Sequence, residues 1–264
     1  MTSPIRAFRE KLDAGRLCLG AAVTLSDPAV TEALGPHVDF LWIDLEHSPM
    51  SLEAMQAHLI AARATATPAL VRVPQCDVAW IKRVLDAGAD GIIVPQIRSA
   101  AEARDVVANC RYFPLGSRGY GPRRAARYGQ TNPSDYLSAA NNDLFVTVQI
   151  ENVAAVAEID EIVRIPHLNS IALGPWDLSY SMGSPGEVTA GDVLATLKRV
   201  VAAARAAGKN VGTGCGSDPS FAAAAAGWGV QWIQLGGDVE YLQHAARNVF
   251  EQTRTALRAP QGEP

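Results

Sequence analysis

Short apolar runs recur along the whole chain and are separated by segments with helical periodicity. Most of these runs are continuous rather than alternating, which is typical of strands buried on both faces of a parallel sheet. We therefore predict eight strands, which lie at residues 17–23, 40–45, 69–73, 91–95, 144–150, 170–174, 210–214 and 232–237.

The segments between the predicted strands carry signals for helices and their ends. Gly88 and Gly208 each follow a helical pattern and predict a helix end, because glycine readily adopts the conformation found there. Asp218 and Pro219 predict an N-cap followed by the first helical residue. Residues 151–165 predict one helix with a single apolar stripe, which consists of Val153, Val156, Ile159, Ile162 and Val163.

The alternation of strands and helices predicts an α/β fold, namely a (β/α)8 barrel. A doubly wound open sheet is the alternative, but the strand count is eight and no G-x-G-x-x-G motif follows the first strand. No linker or shift in composition divides the chain, so we predict one domain over residues 1–264. The tail after about residue 258 is expected to fray.

Composition and charge narrow the functional classes. A length of 264 residues is normal for one barrel, and a net charge of −4 gives no reason to expect nucleic acid as a partner. No apolar run approaches the ~18 residues that cross a bilayer, and the polar N-terminal segment has no signal-peptide core, so we predict a cytoplasmic location. The cysteines form no C-x-x-C pair and are expected to be reduced thiols rather than zinc ligands or disulfides, at Cys18, Cys76, Cys110 and Cys215.

The second predicted strand, in the stretch FLWIDLEHSP, ends in two carboxylates and an imidazole. In a (β/α)8 barrel the carboxyl ends of the strands form the active face. Asp44, Glu46 and His47 are therefore predicted to lie on that face. Arg72 and Gln149 occupy the corresponding ends of the third and fifth predicted strands.

Two further carboxylates belong to neighbouring strand ends. Glu151 ends the fifth predicted strand and Asp177 follows the sixth, so we expect them on adjacent strands about 4.8 Å apart. Carboxylates this close repel one another unless they share a proton or bind a divalent cation. With two oxygen ligands and open positions for substrate and water, Mg²⁺ or Mn²⁺ suits the pair better than zinc.

Each of these residues also has a purely structural interpretation. His47 could be a satisfied structural histidine, and Asp44 with Glu46 could cap the helix that follows. Arg72 could simply pair with a carboxylate in the core, and Glu151 could complement a helix dipole. Their convergence on one face of one barrel favours a functional site.

A long Gly- and Arg-rich segment, YFPLGSRGYGPRRAARYG, lies between the fourth and fifth predicted strands. Loops of this length in compact domains are often functional. We interpret the segment as a subunit interface or a lid rather than a phosphate site, because no helix N-terminus with a glycine cradle is evident. Its candidate residues are Arg118, Tyr120, Arg123, Arg124, Arg127 and Tyr128.

Taken together, the motifs resemble the HpcH/HpaI class II aldolases, which are metal-dependent pyruvate aldolases. The matching stretches follow the family's order and cover most of residues 15–240; they are FLWIDLEHSP, VRVP, IKRVLDAGADGIIVPQI, RYFPLGSRGYGPRRAARYG, VQIE and GPWDLSYSMG. The resemblance implies an enzyme that reversibly cleaves 4-hydroxy-2-oxo acids to pyruvate and an aldehyde, with hydroxypyruvate as an alternative donor. It also implies a (β/α)8 barrel that exchanges a helix between subunits, usually in a homohexamer.

The resemblance implies specific ligands for a metal and a substrate. Glu151 and Asp177 would bind a divalent ion, which would be Mg²⁺, Mn²⁺ or Co²⁺. The 2-oxo acid would chelate this ion through its carboxylate and keto oxygens. Contacts to the bound acid would come from Arg72, Gln149, Gly174, Pro175, Trp176 and Asp177.

Roles in proton transfer follow from the same resemblance. Arg72 would stabilise the enolate beside the keto oxygen, and His47 would act as the base. Asp86 of the neighbouring subunit would raise the basicity of His47, and Asp44 would fix the local geometry. The chemistry agrees, because positive charge at the keto oxygen stabilises the carbanion that forms when pyruvate loses a methyl proton. No lysine ends a predicted strand, so no Schiff base is implied.

One position departs from the typifying member of this family. Trp176 stands where that member has a small residue, so we do not extend its dicarboxylic or semialdehyde substrates to this chain. Two other functions are considered, namely a citrate-lyase-like enzyme that acts on acyl-CoA thioesters and a barrel that binds 2-oxo acids without catalysis. A base, an arginine and two metal-binding carboxylates together favour the aldolase.

Overall fold

The computed structural model describes residues 3–189 and 191–258. Eight parallel strands pair in chain order and close into a barrel, because the eighth strand also pairs with the first. The strands are β1 (Cys18–Val23), β2 (Phe40–Asp44), β3 (Ala69–Arg72), β4 (Gly91–Val94), β5 (Phe145–Ile150), β6 (Ser170–Leu173), β7 (Asn210–Cys215) and β8 (Trp232–Gly237). The barrel is therefore confirmed over an open sheet, and each strand lies within one residue of its predicted ends.

Helices follow the strands and cover the outside of the barrel. They are α1 (Pro4–Asp13), α2 (Ala29–Leu34), α3 (Leu52–Ala64), α4 (Val78–Asp86), α5 (Ala100–Cys110), α6 (Pro133–Asp143), α7 (Val153–Ala157), α8 (Ile159–Ile162), α9 (Pro175–Ser181), α10 (Gly191–Ala206), α11 (Pro219–Gly227) and α12 (Asp238–Arg258). Short 3₁₀ helices span Gly35–His37 and Arg127–Gly129. Within the described residues, no helix combines the length and apolar character needed to cross a bilayer.

Three of the predicted helix boundaries lie where the sequence placed them. Gly88 and Gly208 adopt φ values of +91° and +70° just after α4 and α10, a region that favours glycine. Asp218 caps α11 by accepting hydrogen bonds from the backbone N–H groups of Ser220 and Phe221. The expected fraying of the tail concerns residues 259–264, which lie outside the described part of the chain.

The prediction of one helix over residues 151–165 is wrong. The segment forms α7 and α8, with a break at Glu158. The carboxylate of Glu158 accepts a hydrogen bond from the backbone N–H of Ala100 at 2.7 Å, which ties the break to the start of α5. Val153 is half exposed, so it does not join the buried stripe.

Every second side chain of a barrel strand points inward, and this alternation separates the interior into two zones. The lower zone is apolar and aromatic, with α1 packed beneath it. The ring of Phe8 lies 5.5 Å from the rings of Phe40 and Phe145, at the first residues of β2 and β5. A Cβ on Gly212 would lie 1.9 Å from the Trp232 indole, so glycine makes room for this large side chain. On β2 and β5, the inward positions four residues after Phe40 and Phe145 carry Asp44 and Gln149. Arg72 occupies the matching inward position at the end of β3.

We expect Phe8→Ala to lower the free energy of unfolding by about 3–5 kcal/mol, the usual cost of removing a buried aromatic ring. Phe8 is 1% exposed and closes the bottom of the barrel. Urea unfolding followed by circular dichroism measures the change. Phe113→Ala is the matched control, because Phe113 is 88% exposed and its ring packs little. Equal losses in the two variants would show that α1 does not close the barrel as described.

Candidate active site

An ion pair between β2 and β3 occupies the carboxyl end of the barrel. Asp44 and Arg72 are paired residues in the register of these strands. The Arg72 Nε and Nη2 donate to the two carboxylate oxygens of Asp44 at 2.8 and 2.6 Å, and the guanidinium lies 5.3 Å from the centre of the Trp42 ring. Both charged side chains are largely buried, so the bidentate geometry fixes the guanidinium tightly.

A second carboxylate, Glu46, lies on the other side of the guanidinium. Its Oε2 is 3.0 Å from Arg72 Nη1, although the two groups are not aligned as a hydrogen bond. Burial raises the pKa of Glu46 to about 7; the Arg72 charge opposes this rise, whereas Asp44 and Asp177 add to it. The sequence places Glu46 at this strand end but indicates no catalytic role for it.

The structural interpretations of the β2 end do not describe what is observed. The helix that follows, α3, is capped by Ser51, which accepts from the backbone N–H of Ala54. Neither Asp44 nor Glu46 caps it. His47 is not a buried structural histidine, because its side chain is 65% exposed and its Nε2 lies 3.7 Å from Glu46 Oε2.

Glu151 lies just beyond β5 and is buried. Its two oxygens accept hydrogen bonds from the backbone N–H of Gln96 at 2.6 Å and from Gln149 Nε2 at 2.5 Å. Burial raises the pKa of Glu151 to about 7; the Gln96 N–H opposes the rise, and the charges of Glu46 and Asp177 add to it. The sequence had not pointed to Gln96, whose positive φ of 58° turns its N–H toward the carboxylate.

Asp177 is on a helix rather than on a strand end. It belongs to the first turn of α9, so the expected pair of carboxylates on adjacent strands is only partly correct. β5 and β6 do pair as neighbours, and α9 begins directly after β6. Gly174 between them is required, because a Cβ there would lie 2.6 Å from Glu151 Oε2 and 3.0 Å from Gln149 Nε2.

The donor set around Glu151 fits a hard divalent cation. The charge of Asp177 raises the pKa values of Glu46 and Glu151, and the charge of Glu46 adds to the rise at Glu151. The buried Gln149 Oε1 has no hydrogen-bond partner within the described residues. Oxygen ligands of this kind suit Mg²⁺ or Mn²⁺. No group of three His, Cys, Asp or Glu side chains in the described ranges forms a ready-made metal cage, so water and substrate would supply the other ligands.

One cleft of about 330 Å³ opens at this end of the barrel. Eight of the residues predicted from the sequence line it, namely Asp44, His47, Arg72, Gln149, Gly174, Pro175, Trp176 and Asp177. Glu151 lies buried against Gln149 instead. The opposite wall, from β7, β8 and α12, was missed, because its residues are small or isolated and form no recognisable motif; it includes Gly214, Cys215, Gly216, Gln234 and Glu240.

Asp86 is not part of this cleft. It lies in the last turn of α4 and accepts a hydrogen bond from Arg118 at 2.8 Å. Because a helix of a βα unit runs opposite to the strands, its end lies near the other face of the barrel. Asp86 therefore cannot act on His47 of its own subunit.

The arginines of the long loop divide into two groups. Arg118 is buried and lies 4.6 Å from the Tyr112 ring, and Arg124 is buried and donates to the carbonyls of Ala87 and Leu59. These two hold the loop against α3, α4 and α5, so the interpretation of them as lid residues is wrong. Arg123, Arg127, Tyr120 and Tyr128 are exposed and are free to make contacts with another molecule.

Comparison with known proteins places the chain among aldolases. Residues 23–245 match the model of the family described as HpcH/HpaI aldolase/citrate lyase. A hydroxypyruvate/pyruvate aldolase from Roseovarius nubinhibens is 34% identical over 256 residues, which cover 97% of this chain and 99% of that protein. A 2-keto-3-deoxy-L-rhamnonate aldolase from Klebsiella pneumoniae is 35% identical over 202 residues, which cover 76% and 74% of the two chains.

Solved structures agree with this placement. An HpcH/HpaI aldolase/citrate lyase family protein from Burkholderia cenocepacia is 31% identical with a TM-score of 0.88, over 96% of this chain and 100% of that one. A citrate lyase from Burkholderia xenovorans is 15% identical with a TM-score of 0.59, over 84% of this chain and 74% of that one, so its likeness extends to the fold alone.

We expect Asp44→Asn to lower the free energy of unfolding by about 3 kcal/mol, because it leaves the buried Arg72 guanidinium without its bidentate partner. Chemical denaturation measures the loss. Glu161→Gln is the control, since it breaks an ion pair with Arg104 in which both side chains are exposed, and such pairs contribute less than about 1 kcal/mol. A loss no greater than that of the control would contradict a buried, structurally essential pair.

Proposed function

The chain belongs to the HpcH/HpaI aldolase/citrate lyase family, and from that premise we propose how this aldolase cleaves 4-hydroxy-2-oxo acids to pyruvate or hydroxypyruvate and an aldehyde. The observation that carries the proposal is the fixed guanidinium of Arg72, which lies in one cleft with Gln149, Asp177 and His47. A guanidinium held in place can stabilise negative charge that develops on a bound oxygen.

We propose Glu151 and Asp177 as the ligands of a divalent metal ion, on which aldolases of this family generally depend. The buried Glu151, crowded by neighbouring carboxylates, supports this assignment. Mg²⁺, Mn²⁺ and Co²⁺ are the candidate ions. When bound, the ion would neutralise the carboxylates and withdraw electrons from the keto group of the 2-oxo acid. Gln149 and the backbone around Gly174 and Pro175 orient the acid.

The chain's own residues then account for the movement of charge and protons. In the cleavage direction, His47 takes the proton of the C4 hydroxyl, the C3–C4 bond breaks, and its electron pair moves toward the C2 keto oxygen. Arg72 lies beside that oxygen, and Asp44 holds the guanidinium in place. His47 is exposed in the cleft, so it can return the proton to C3 after the aldehyde leaves.

The same cleft argues against two other chemistries. No lysine lines it within the described residues, so a Schiff base has no amine to form on. Lys209 donates instead to the carbonyls of Ile165 and Leu168. The citrate lyase from Burkholderia xenovorans is only 15% identical to this chain, so its likeness does not support an acyl-CoA reaction here.

We further propose a homo-oligomer, with the hexamer as the expected state. Helix α12 presents an exposed apolar stripe at helical spacing, which is formed by Val239, Leu242, Val249, Phe250 and Leu257. The exposed rings of Phe113, Tyr120 and Tyr128 add a second apolar surface. An oligomer would also let Asp86 approach the His47 of a neighbouring subunit.

The four cysteines, all in the described ranges, are unpaired, which supports the prediction of a cytoplasmic location.

We expect chelation to abolish activity and Mg²⁺, Mn²⁺ or Co²⁺ to restore it. Gly174→Ala should weaken Mn²⁺ binding about 10- to 100-fold, because its Cβ would displace Glu151 and Gln149. Titration followed by electron paramagnetic resonance measures the affinity. Gly227→Ala is the control, since a Cβ there meets nothing within 4 Å. Full activity in a metal-free sample would refute the metal site, and unchanged Mn²⁺ affinity in Gly174→Ala would refute its location.

His47→Ala and Arg72→Ala should lower activity through different steps of the reaction. Loss of the base should slow deuterium exchange at the pyruvate methyl group by about 10²-fold while pyruvate still binds. Loss of Arg72 should lower kcat more than pyruvate affinity, because its interaction strengthens as charge develops, and Arg72→Lys should rescue only partly. Exchange is followed by NMR alongside pyruvate titration. Wild-type exchange in His47→Ala, or a pure affinity loss in Arg72→Ala, would show that the role is assigned wrongly.

We expect multi-angle light scattering to give a mass near six chains. Phe250→Glu combined with Leu257→Glu should dissociate the assembly, because it places charge in the apolar stripe. Gln252→Glu adds a charge elsewhere on α12 and should leave the mass unchanged. A wild-type protein that is active as a monomer would contradict the oligomer and the proposed action of Asp86.

A further inference from the structure

A second cavity, of about 490 Å³, adjoins the catalytic cleft. It lies between α9, the loop after β7, and the first turns of α11 and α12. The two spaces share a wall that consists of Pro175, Trp176, Gly214, Cys215, Gly216 and Glu240. A molecule bound at Arg72 and Asp177 could therefore extend into the second cavity without leaving the protein surface.

The second cavity mixes apolar surface with polar side chains and contains no lysine or arginine of the described residues. Ser217, Asp218, Gln243 and His244 line it together with Glu240, whereas no lysine or arginine of the described residues does so. Val188 and Phe221 supply apolar patches. This lining offers hydrogen bonds to hydroxyl groups, and its two acidic side chains, Asp218 and Glu240, outnumber its one histidine, so it favours an uncharged group over a carboxylate or phosphate.

Glu240 occupies the border between the two spaces. Its Oε2 accepts a hydrogen bond from Ser217 Oγ at 2.9 Å. Its Oε1 has no hydrogen-bond or ion-pair partner within the described ranges, so this oxygen is available to a ligand. A carboxylate in this position accepts a hydrogen bond from a hydroxyl group and repels an anion.

The backbone around Glu240 fixes its position. Gly236 adopts φ +73°, and a Cβ there would lie 2.3 Å from Ser217 Oγ and 2.9 Å from Glu240 Oε2. Two residues further, the buried Asp238 accepts hydrogen bonds from the backbone N–H groups of Thr24 and Leu25 at 2.8 and 2.9 Å. The first turn of α12 is thereby anchored to β1 and β8, and it holds Glu240 at the border of the cavity.

Trp176 forms the apolar part of the shared wall. It immediately precedes Asp177 and lines both spaces. A Cβ on Gly186 would lie 3.2 Å from the indole, so the ring packs against the turn at Gly186. The indole therefore gives the shared wall an apolar surface, to which Glu240 adds a carboxylate.

We propose that the second cavity binds the distal part of the aldehyde, and that Glu240 selects uncharged hydroxyaldehydes against aldehydes that carry a carboxylate or a phosphate. The inference rests on the proposed aldolase function and adds its acceptor class. Hydrogen bonding to a substrate hydroxyl and repulsion of an anion act in the same direction, and sites that use both discriminate strongly. Glu240 is thus a specificity-determining residue.

The test compares two acceptors in the aldol direction, with pyruvate as donor and Mn²⁺ present. The measured quantity is the ratio of kcat/KM for glyceraldehyde to kcat/KM for succinic semialdehyde. Because both reactions use the same donor and catalytic groups, the ratio cancels losses that are common to them. We expect a wild-type ratio above about 10, a decrease of about fivefold in Glu240→Gln, and a larger decrease or reversal in Glu240→Lys. The change should lie mainly in the KM for succinic semialdehyde.

Glu251→Gln removes a carboxylate further along the same helix, away from both cavities, and should keep the wild-type ratio. A wild type that prefers succinic semialdehyde, or a ratio that Glu240→Gln and Glu240→Lys leave unchanged, would overturn the inference. Glu240→Gln keeps the shape of the side chain and its hydrogen bond with Ser217, so this variant tests the inference even if the lysine variant does not fold. Deuterium exchange into pyruvate by the wild type is scored separately. Its absence would refute the aldolase mechanism itself rather than the acceptor class.

Discussion

A guanidinium buried inside a protein is stable only when hydrogen-bond acceptors or opposite charges pair with it, and the upper layer of this barrel is arranged around that constraint. Arg72 is neutralised by the bidentate contact with Asp44. Glu46, Glu151 and Asp177 then leave an excess of negative charge beside it, which is why burial and mutual repulsion raise the pKa values of Glu46 and Glu151. A 2-oxo acid is itself an anion. A cation that offsets the excess would ease its approach, so the electrostatics of the site agree with the divalent ion proposed above.

The alternation of side chains along the strands explains why the charged layer does not destabilise the fold. The inward positions of β2 run from Phe40 through Trp42 to Asp44, so each step along the strand moves from a sealed aromatic layer toward the solvent-accessible mouth. Phe8 of α1 seals the opposite end. The apolar layers stabilise the barrel, and the charges are confined to the layer that water and substrate can reach.

The fold and half of the site were predictable from the sequence, because buried parallel strands are continuous apolar runs and their ends carry rare charged residues. The break at Glu158 was not predictable, since it depends on a hydrogen bond to Ala100, 58 residues away. The roles of Arg118 and Arg124 were missed for a similar reason. Arg118 pairs with Asp86 and Arg124 binds the carbonyls of Ala87 and Leu59, and these partners lie 32 or more residues away in the sequence. The wall formed after β7 and β8 was missed because no local sequence motif marks Glu240. Its place in the site is visible only from the cavities that it lines.

Helix α12 would connect the proposed acceptor selection with the proposed assembly. Its first turn is fixed by Asp238 and carries Glu240 at the edge of the cleft, whereas the rest of the helix extends as an exposed apolar stripe. A stripe of this kind is costly in water and becomes stable when another subunit covers it. Covering it would also immobilise the helix that bears Glu240, because both belong to one continuous element from Asp238 to Arg258. The position of the acceptor-binding carboxylate would then depend on the packing between subunits, and acceptor selectivity would be a property of the assembled protein.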